Sequence, residues 1–348
     1  MPAVTIITPV HNHWHLVPKL LACLAAQTLP QTEFEIVLVE NNSEEFSPPD
    51  QLPPNARIEH CDTPGSYAAR NHGIKHATGD WLVFTDADCL PRPDWLQNLM
   101  TAASELTNEG GSDLQIAKDL WTTKSRRSDL QIAKGFQTDL HRDLEIAPTE
   151  SSTNPTTKRI NQRTSEEANG QTILAGAIEM IPQNDPPNRW EIYDLVRGIP
   201  QAWYVKRGYA ATANLAVSAA LTKKLEGFDG SRQSGGDAEF CRRAIRQNAQ
   251  LKYVPEAIVA HPARTSRAEL VEKTRRIKAA QIQSGDWRRL RALAPPLIEF
   301  WKYLNARHWP LSYRLTAMAV QLTLWPVELQ QALKARQPAP RPGTPTQK

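Results

Sequence analysis

The sequence lacks several features that would assign it to common protein classes. It has four cysteines in 348 residues, and Cys23, Cys61, Cys89 and Cys241 stand without the paired spacing of a structural metal site. Such sparse cysteine use is typical of a reducing compartment. The chain begins directly with a strand-like pattern rather than a basic segment and an apolar stretch, so we expect no signal peptide. These absences predict a cytoplasmic protein.

Long apolar runs and a strong charge excess are also missing. The apolar segment 311–329 is interrupted by Arg314, Gln321, Pro326 and Glu328, whereas a membrane span needs about 20 clean apolar residues. The net charge is +4, which is no nucleic-acid signature, so we expect no nucleic-acid partner. A chain of 348 residues is still long enough to bury a sizeable core in one large α/β domain or two smaller ones.

Apolar runs that end in polar residues give the first half the pattern of a parallel sheet. Strands are predicted at Val4–Val10, at Phe34–Val39 and around Ala56–His60, with a helix at about Leu16–Gln27. A strand, a helix and a strand in succession favour parallel pairing with a right-handed crossover. Ligands of such open sheets bind at the carboxyl ends of the strands.

Two carboxylates follow the next apolar run, Trp81–Phe84. Asp86 and Asp88 lie one residue apart, and like charges this close repel each other unless a cation or hydrogen bonds lie between them. One interpretation is a divalent metal site at the end of a buried strand. The other is a capped turn before Pro91.

A helix flanked by glycines is predicted just before these carboxylates, at Pro64–Ile74. The free N–H groups and partial positive charge of a helix N-terminus favour a phosphate nearby. Arg70 on this helix is a candidate contact to a base or a phosphate. The alternative is an ordinary exposed arginine.

The second half offers further candidates. A strand is predicted at Thr172–Ile181 and a helix at Trp190–Val196, and the small residues Ala211–Asn214 form either a pocket wall or tight internal packing. Asp237 follows two glycines and opens a helix, either as a functional acid or as an N-cap. His261 ends two short strand-like runs and is either a ligand or a structural residue.

Four stretches, taken in order, resemble the family 2 glycosyltransferases of GT-A fold: Thr8–Asn12, Val39–Ser43, Ala69–Asn71 and Asp86–Trp95. The resemblance covers roughly residues 4–100 and resumes near residue 172. It implies an α/β, Rossmann-like, mixed but mostly parallel sheet flanked by helices, to which the sequence itself adds C-terminal helices and a long disordered insertion. It also implies inverting transfer of a sugar from a nucleotide-diphospho-sugar, expected to be a UDP-sugar, to a hydroxyl of a glycan or lipid-linked acceptor.

The resemblance also implies roles for single residues. Nucleotide-sugar binding is expected of Thr8, Pro9, Glu40, Asn41, Arg70 and Asp86. Asp86, Asp88 and His261 match the ligands of a divalent metal, Mn²⁺ or Mg²⁺. Asp237 matches the general base. Glu239 is expected to support the base or orient the acceptor, or else to pair with Arg242 or Arg243.

A verbatim repeat marks the predicted insertion. Ser112–Lys118 recurs letter for letter as Ser128–Lys134, and such a short unit is no solenoid. We expect residues 107–170 to be a disordered insertion in a surface loop, with an acceptor-recognition lid as the alternative. The predicted organisation is a nucleotide-sugar-binding half (1–106), this insertion, an acceptor-binding catalytic half (171–263), basic amphipathic C-terminal helices (264–335) and a disordered tail (336–348).

The C-terminal helices and the departures from the family pattern leave alternatives open. Residues 264–307 carry eleven Lys or Arg against four Asp or Glu, which predicts peripheral contact with the inner face of the cell membrane or a helical pair packed on the core. Asn41 and Gly236 replace acids of the family pattern, which suggests a catalytically impaired nucleotide-sugar-binding protein as a rival. A sugar-phosphate nucleotidyltransferase is another rival, but it would need an early glycine-rich signature. The signature Gln-x-x-Arg-Trp of processive synthases is absent.

Overall fold

The computed structural model describes residues 2–108, 171–283 and 293–334. The chain divides into two units, Met1–Ala102 with Gly170–Lys348, and Ala103–Asn169, and the account below concerns the first. The repeats and nearly all of the predicted insertion lie outside the described residues, and so does the predicted tail. The predicted boundary between a nucleotide-sugar half and an acceptor half stays a prediction.

Eight strands form one mixed sheet. They are β1 (Val4–Val10), β2 (Phe34–Glu40), β3 (Ala56–His60), β4 (Trp81–Phe84), β5 (Leu90–Pro91), β6 (Thr172–Ile181), β7 (Leu215–Ser218) and β8 (Gln250–Pro262). Their order across the sheet is β3-β2-β1-β4-β7-β6-β8-β5. The first four are parallel to one another, as are β6 and β8, whereas β7 is antiparallel to β4 and β6, and β5 to β8.

Helices accompany these strands, and the predicted α/β class with a mixed, mostly parallel sheet is confirmed. The described helices are α1 (Val17–Ala25), α2 (Ser66–His76), α3 (Trp95–Asn108), α4 (Arg189–Arg197), α5 (Gln201–Val205), α6 (Ala219–Lys224), α7 (Gly236–Arg246), α8 (Arg267–Gln283), α9 (Leu297–Asn305) and α10 (Leu311–Lys334). β1 and β2 are buried almost throughout, as expected of parallel strands covered on both faces.

β8 differs from the two short strands that the sequence predicts. It is one strand of 13 residues that pairs with β6 on both sides of a register shift. Val254 pairs with Gly176 and Ile258 with Ala177, so the shift spans residues 255–257, the first of which, Pro255, has no N–H to donate to the ladder. The second part of β8 also pairs with β5, which places His261 beside the residues that precede β5.

The C-terminal helices pack against α4 around a second apolar core. Its buried members are Tyr193, Val196, Leu270, Val271, Tyr303, Ala317, Val320, Leu324 and Val327. None of the described helices combines the length and the apolar character that a membrane span requires.

A buried ion cluster joins the same helices. Asp194 on α4 is 1% exposed, and it lies 2.8 Å from Lys273 Nζ and 3.0 Å from an Arg264 guanidinium nitrogen. Burial alone would raise the pKa of Asp194, but the two cations hold it well below its ordinary value. Burial is the main reason why the pKa of Lys273 is lowered to about 7. The guanidiniums of Arg264 and Arg197 lower this pKa further, whereas the Asp194 carboxylate raises it. The cluster therefore depends on the negative charge of Asp194.

Candidate active site

Arg70 and Asp86 meet at the carboxyl end of the parallel strands. Arg70 lies on α2 and is 3% exposed, so the alternative of an ordinary surface arginine is wrong. One terminal nitrogen donates to Asp86 Oδ1, and the other donates to the Ser66 carbonyl oxygen at 3.2 Å. Its buried Nε has no hydrogen-bond partner among the residues that the structure describes. An unpaired buried donor costs about 1–3 kcal/mol. A ligand oxygen that accepts a hydrogen bond from this Nε would remove that cost.

Asp86, Asp88 and His261 come together as the sequence predicts of a metal site. One ligand atom from each of these residues, and from Cys89, lies within 4.8 Å of the others. His261 Nδ1 is 2.9 Å from the Pro262 carbonyl oxygen, which can only accept, so Nδ1 donates to it. Nε2 is the nitrogen that faces the carboxylates, 3.7 Å from Asp88 Oδ2. Two carboxylates and one imidazole nitrogen form a donor set that fits a divalent ion.

Cys89 is the fourth member of this group. It is fully buried, and burial together with the neighbouring carboxylates raises the pKa of its thiol well above the ordinary value. Its Sγ lies 3.9 Å from the Ala213 carbonyl oxygen, which can accept the thiol proton. The ligands that the sequence predicts are the two aspartates and the histidine.

A cavity of about 230 Å³ opens beside Asp88. Its lining residues are Leu16, Lys19, Ala87, Asp88, Leu90, Ile181, Pro182, Gln183 and Pro262. Lys19 adds a positive charge to a wall that is otherwise apolar or neutral apart from Asp88. This space lies next to the candidate metal ligands.

Asp237 reaches the same region from the second half of the chain. It is the second residue of α7, and the N-cap is Gly235 with φ of 75°, so the N-cap alternative for Asp237 is wrong. Its Oδ1 accepts from Ala238 N at 2.8 Å and from the Tyr67 hydroxyl at 3.3 Å. Burial raises the pKa of Asp237, and the negative charge of Asp86 adds to that rise.

Tyr67, like Lys19, is a site residue that the sequence did not reveal. It lies three positions before Arg70 on α2, which puts both side chains on one face of the helix. Tyr67 contacts Asp237 and Arg70 contacts Asp86, so one helical turn joins two carboxylates from distant parts of the chain. The i, i+3 spacing was visible in the sequence, but nothing there indicated which acid Tyr67 would meet.

Gly236 is explained by the same tyrosine. A Cβ atom at position 236 would lie 2.7 Å from the Tyr67 ring, closer than real contacts allow. Tyr67 has little room to move, because it is 6% exposed and packs against Phe228 at 5.7 Å between ring centroids. The glycine that replaces the family's acid is therefore part of the packing around Tyr67.

Glu40 and Asn41 lie at the end of β2, but their polar atoms are engaged within the protein. Asn41 Nδ2 donates to the carbonyl oxygens of Cys61 at 2.9 Å and Thr63 at 2.7 Å, and its Oδ1 accepts from Gly65 N at 2.9 Å. A carboxylate has no donor for the two carbonyls, which accounts for an amide here. Glu40 accepts from Trp14 Nε1 and from Ser43 N at 2.5 Å. Asn41 thus organises the loop between β3 and α2, and Glu40 holds the turn that follows β2.

The remaining predicted site residues differ in what they contact. Thr8 is fully buried, and within the described ranges its Oγ1 has no hydrogen-bond partner, while Pro9 beside it is partly exposed. Glu239 pairs with Arg243, with its carboxylate 2.9 Å from Nε, so the pairing alternative for Glu239 is the one observed.

Asn214 decides between the two interpretations of Ala211–Asn214. Its side chain is fully buried and donates to the carbonyl oxygens of Ala177 and Ala257, both at 2.8 Å. Its Oδ1 accepts from Trp95 Nε1 at 2.8 Å. Asn214 therefore serves internal packing rather than a pocket wall.

Comparison with known proteins identifies the class. The family model described as glycosyl transferase family 2 matches residues 5–159. Glycosyltransferase AglE of Haloferax volcanii is 23% identical over 81% of this chain and 74% of that protein. The pre-mycofactocin glycosyltransferase of Mycobacterium tuberculosis is also 23% identical, over 75% of this chain, but the match spans 43% of that protein.

Two solved structures resemble this chain over 97% of its length. One is the mannosyltransferase PcManGT from Pyrobaculum calidifontis in complex with GDP-Man and Mn²⁺, with a TM-score of 0.44, 14% identity and 77% of that chain covered. The other is S. aureus TarS in complex with UDP, with a TM-score of 0.44, 15% identity and 92% of that chain covered.

This protein is a glycosyltransferase. Its residues 5–159 match glycosyl transferase family 2, and its fold is one mixed, mostly parallel sheet accompanied by helices.

Proposed function

We propose that this enzyme transfers a sugar, with inversion, from a nucleotide-diphospho-sugar to a hydroxyl of a glycan or lipid-linked acceptor. The observation that carries the proposal is the single turn of α2 that joins Asp86 through Arg70 and Asp237 through Tyr67. Two carboxylates of different character are thereby held in one site. Asp86 belongs to a group of metal-type ligands, whereas Asp237 stands apart with a raised pKa.

The donor would bind at the end of the parallel strands. In this proposal Thr8, Pro9, Asn41 and Arg70 surround the base, and Asp86 contacts the ribose. The polar side-chain atoms of Asn41 already form hydrogen bonds within the protein. Asn41 would therefore contact the base through van der Waals packing and its backbone. Among the described residues, the Nε of Arg70 and the Oγ1 of Thr8 are buried atoms of this region that lack a hydrogen-bond partner. UDP-sugars are the first donors to test.

Asp86, Asp88 and His261 would hold a divalent ion, Mn²⁺ or Mg²⁺, because their donor atoms cluster within 4.8 Å. Such an ion supplies charge stabilisation for the departing nucleoside diphosphate. The role of the protein is to fix the three side chains: Arg70 orients Asp86, and the Pro262 carbonyl fixes the tautomer of His261. Lys19, in the cavity wall beside Asp88, adds a further positive charge for the diphosphate.

Asp237 would act as the general base. Its carboxylate takes the proton of the acceptor hydroxyl while the hydroxyl oxygen attacks the anomeric carbon, and the bond to the diphosphate oxygen breaks. A single displacement from the face opposite the leaving group inverts the anomeric configuration. The raised pKa of Asp237 makes this carboxylate a better proton acceptor than an exposed aspartate.

A screen of nucleotide sugars with Mn²⁺ tests the proposal. We expect a matching donor to raise the melting temperature, since it binds the folded state alone. The same donor should release its nucleoside diphosphate when an acceptor is present, and NMR of the product should show an inverted anomeric centre. A retained configuration contradicts the proposed mechanism. Binding of a donor without any turnover would favour the rival reading of a catalytically impaired binding protein.

The contact between Tyr67 and Asp237 predicts a shift in the pH profile. Asp237 acts as a base only when ionised, so activity falls as the pH drops through its folded pKa. The hydrogen bond from Tyr67 favours the carboxylate, and its loss in Tyr67→Phe should raise the already raised pKa of Asp237 further. We expect the acidic limb of kcat/KM to move up by roughly 0.5–1 pH unit, the equivalent of one hydrogen bond. Tyr313→Phe, at a distant half-buried tyrosine, is the control. If the acidic limb does not move in Tyr67→Phe, Tyr67 does not influence the pKa of the general base.

We also propose that the C-terminal helices contact an anionic membrane surface. α9 exposes Leu297, Trp301 and Leu304, at positions i, i+4 and i+7 of one face, by 66%, 59% and 44%. Leu311 and Leu315 at the start of α10 extend the apolar surface. Exposed apolar side chains on a helix within a basic segment are typical of interfacial binding. Such contact would suit a lipid-linked acceptor.

Vesicle co-sedimentation tests this surface. The double variant Leu297→Glu/Trp301→Glu should lower binding to vesicles with anionic lipid about tenfold or more, because each inserted apolar side chain contributes roughly 1.5–3 kcal/mol. Ile245→Glu introduces the same charge at an exposed apolar residue of α7 and should bind as wild type does. Equal binding by all three proteins, or no binding by wild type, would reject the membrane contact.

A further inference from the structure

Three potential metal ligands lie together at the other end of α2. His72 and His76 are four positions apart on the helix, and Glu59 lies on the neighbouring edge strand β3. One donor atom from each residue lies within 4.8 Å of the others. His76 Nδ1 is 3.6 Å from Glu59 Oε1, and the two imidazole rings stack at 4.8 Å between centroids.

We propose that Glu59, His72 and His76 bind one divalent transition-metal ion of the zinc type. Two imidazole nitrogens and a carboxylate oxygen are a common ligand set for Zn²⁺, with water in the fourth position. The set differs from that at Asp86 and Asp88, where carboxylates predominate and harder ions are favoured. This inference is independent of the proposed sugar transfer.

The helix holds the two histidines in a geometry suited to chelation. Residues i and i+4 of a helix lie on the same face, so the helix already holds the two imidazoles close together. Gly73, between them, lets α2 approach the sheet closely, since a Cβ there would lie 2.5 Å from an Ile7 methyl carbon. This close packing brings the histidine face of α2 down to the level of Glu59. The ligands are therefore largely arranged before any ion arrives.

The electrostatic surroundings also permit binding. Arg57 pairs with Glu59, with Nε 3.3 Å from Oε1, but its guanidinium also pairs with Glu35 at 2.6 Å. Its charge is thus divided between two carboxylates. His72 is half-buried and His76 is exposed, so an ion can enter from solvent.

An ion here would fasten α2 to the edge of the sheet. His76 lies six residues beyond Arg70, or about 9 Å along the helix axis at 1.5 Å per residue. The ion would therefore sit apart from the donor site but on the helix that carries Tyr67 and Arg70. Occupancy would stabilise the fold through the end of this helix.

Zinc binding by tag-free, full-length protein tests the inference. Asp88→Asn serves as the background, because it removes the carboxylate that would bind zinc at the other candidate site. Equilibrium dialysis should find one tightly bound Zn²⁺ in this background. Adding His72→Ala or His76→Ala should weaken that binding roughly 100-fold or more, since even outer-shell partners of a metal account for about 10–100-fold. Adding His308→Ala, at an exposed histidine near the C-terminal helices, should leave it unchanged.

Two further measurements distinguish a built site from surface binding. Zn²⁺ should raise the melting temperature of the Asp88→Asn protein but not that of Asp88→Asn/His76→Ala. Co²⁺ should give the visible absorption of a tetrahedral N/O site in the first protein alone. The inference is overturned if the His76→Ala and His308→Ala additions bind zinc alike, or if the Asp88→Asn protein binds none. Since His76 is exposed, its replacement should leave the fold intact even if that of His72 does not.

Discussion

Replacing Asp237 by asparagine should lower kcat by about 10²–10⁴-fold, the usual contribution of a positioned general base. Asparagine keeps the shape of the side chain and can still accept from Ala238 N, which now donates to Oδ1 at 2.8 Å. It can also still accept from the Tyr67 hydroxyl. What it loses is the ability to take a proton. The measurement is nucleoside diphosphate release with donor and acceptor at saturating concentration.

The donor should still bind to this variant. Asp237 contacts Tyr67 rather than Arg70, Asp86 or Asp88, so the melting-temperature rise caused by the donor should match that of wild type. Asp80→Asn, the same change at an exposed turn before β4, is the matched control and should keep full activity. Turnover within threefold of wild type for Asp237→Asn would show that the base lies elsewhere.

The second large effect is on stability. Asp194→Asn should lower the free energy of unfolding by about 3–5 kcal/mol, because it leaves two cations, Lys273 at 12% and Arg264 at 22% side-chain exposure, without their buried carboxylate. That is a large share of the roughly 5–15 kcal/mol that holds a typical domain folded. Urea unfolding of the variant and of wild type measures the difference. Asp50→Asn, at an exposed aspartate, removes the same charge and should change stability by less than about 0.5 kcal/mol.

The pH dependence of the loss has a definite sign. The folded pKa of Asp194 is depressed, so its stabilisation is present above the ordinary aspartate pKa and is lost as the pH falls through the lowered value. Lys273 acts over a different pH range. Because its folded pKa is lowered to about 7, its contribution to the free energy of unfolding of wild type increases as the pH rises above 7. The difference between variant and wild type should therefore shrink in acid. A constant difference down to pH 2 would contradict the assignment to an ion cluster.

Local sequence patterns predicted most of the strands. β1, β3, β4 and β6 have the predicted bounds, because a run of apolar residues closed by polar ones is a strong local signal. The position of β7 between β4 and β6, antiparallel to both, was not predicted. The four residues Leu215–Ser218 carry no information about their partners, which lie 40 or more residues earlier in β6 and more than 130 residues earlier in β4.

The candidate site shows the same division. Asp86, Asp88 and Asp237 could be singled out because each follows a recognisable strand end or helix start. The hydroxyl of Tyr67 could not, since its partner is 170 residues away. Asn41 was recognised as a departure from the acidic pattern. The need for an amide became visible only in the fold, where Asn41 donates to two carbonyl oxygens of the loop after β3. Side chains that serve long-range contacts are visible only once the chain is folded.

Because Gly236 contacts the Tyr67 ring, a substitution at either position depends on the residue at the other. A side chain at position 236 needs a smaller residue at 67, and a smaller residue at 67 would leave a void above Gly236 and withdraw the hydroxyl from Asp237. Neither position can drift alone without disturbing the packing beside the proposed base. Placing an acid at position 236 would therefore require a change on α2 as well.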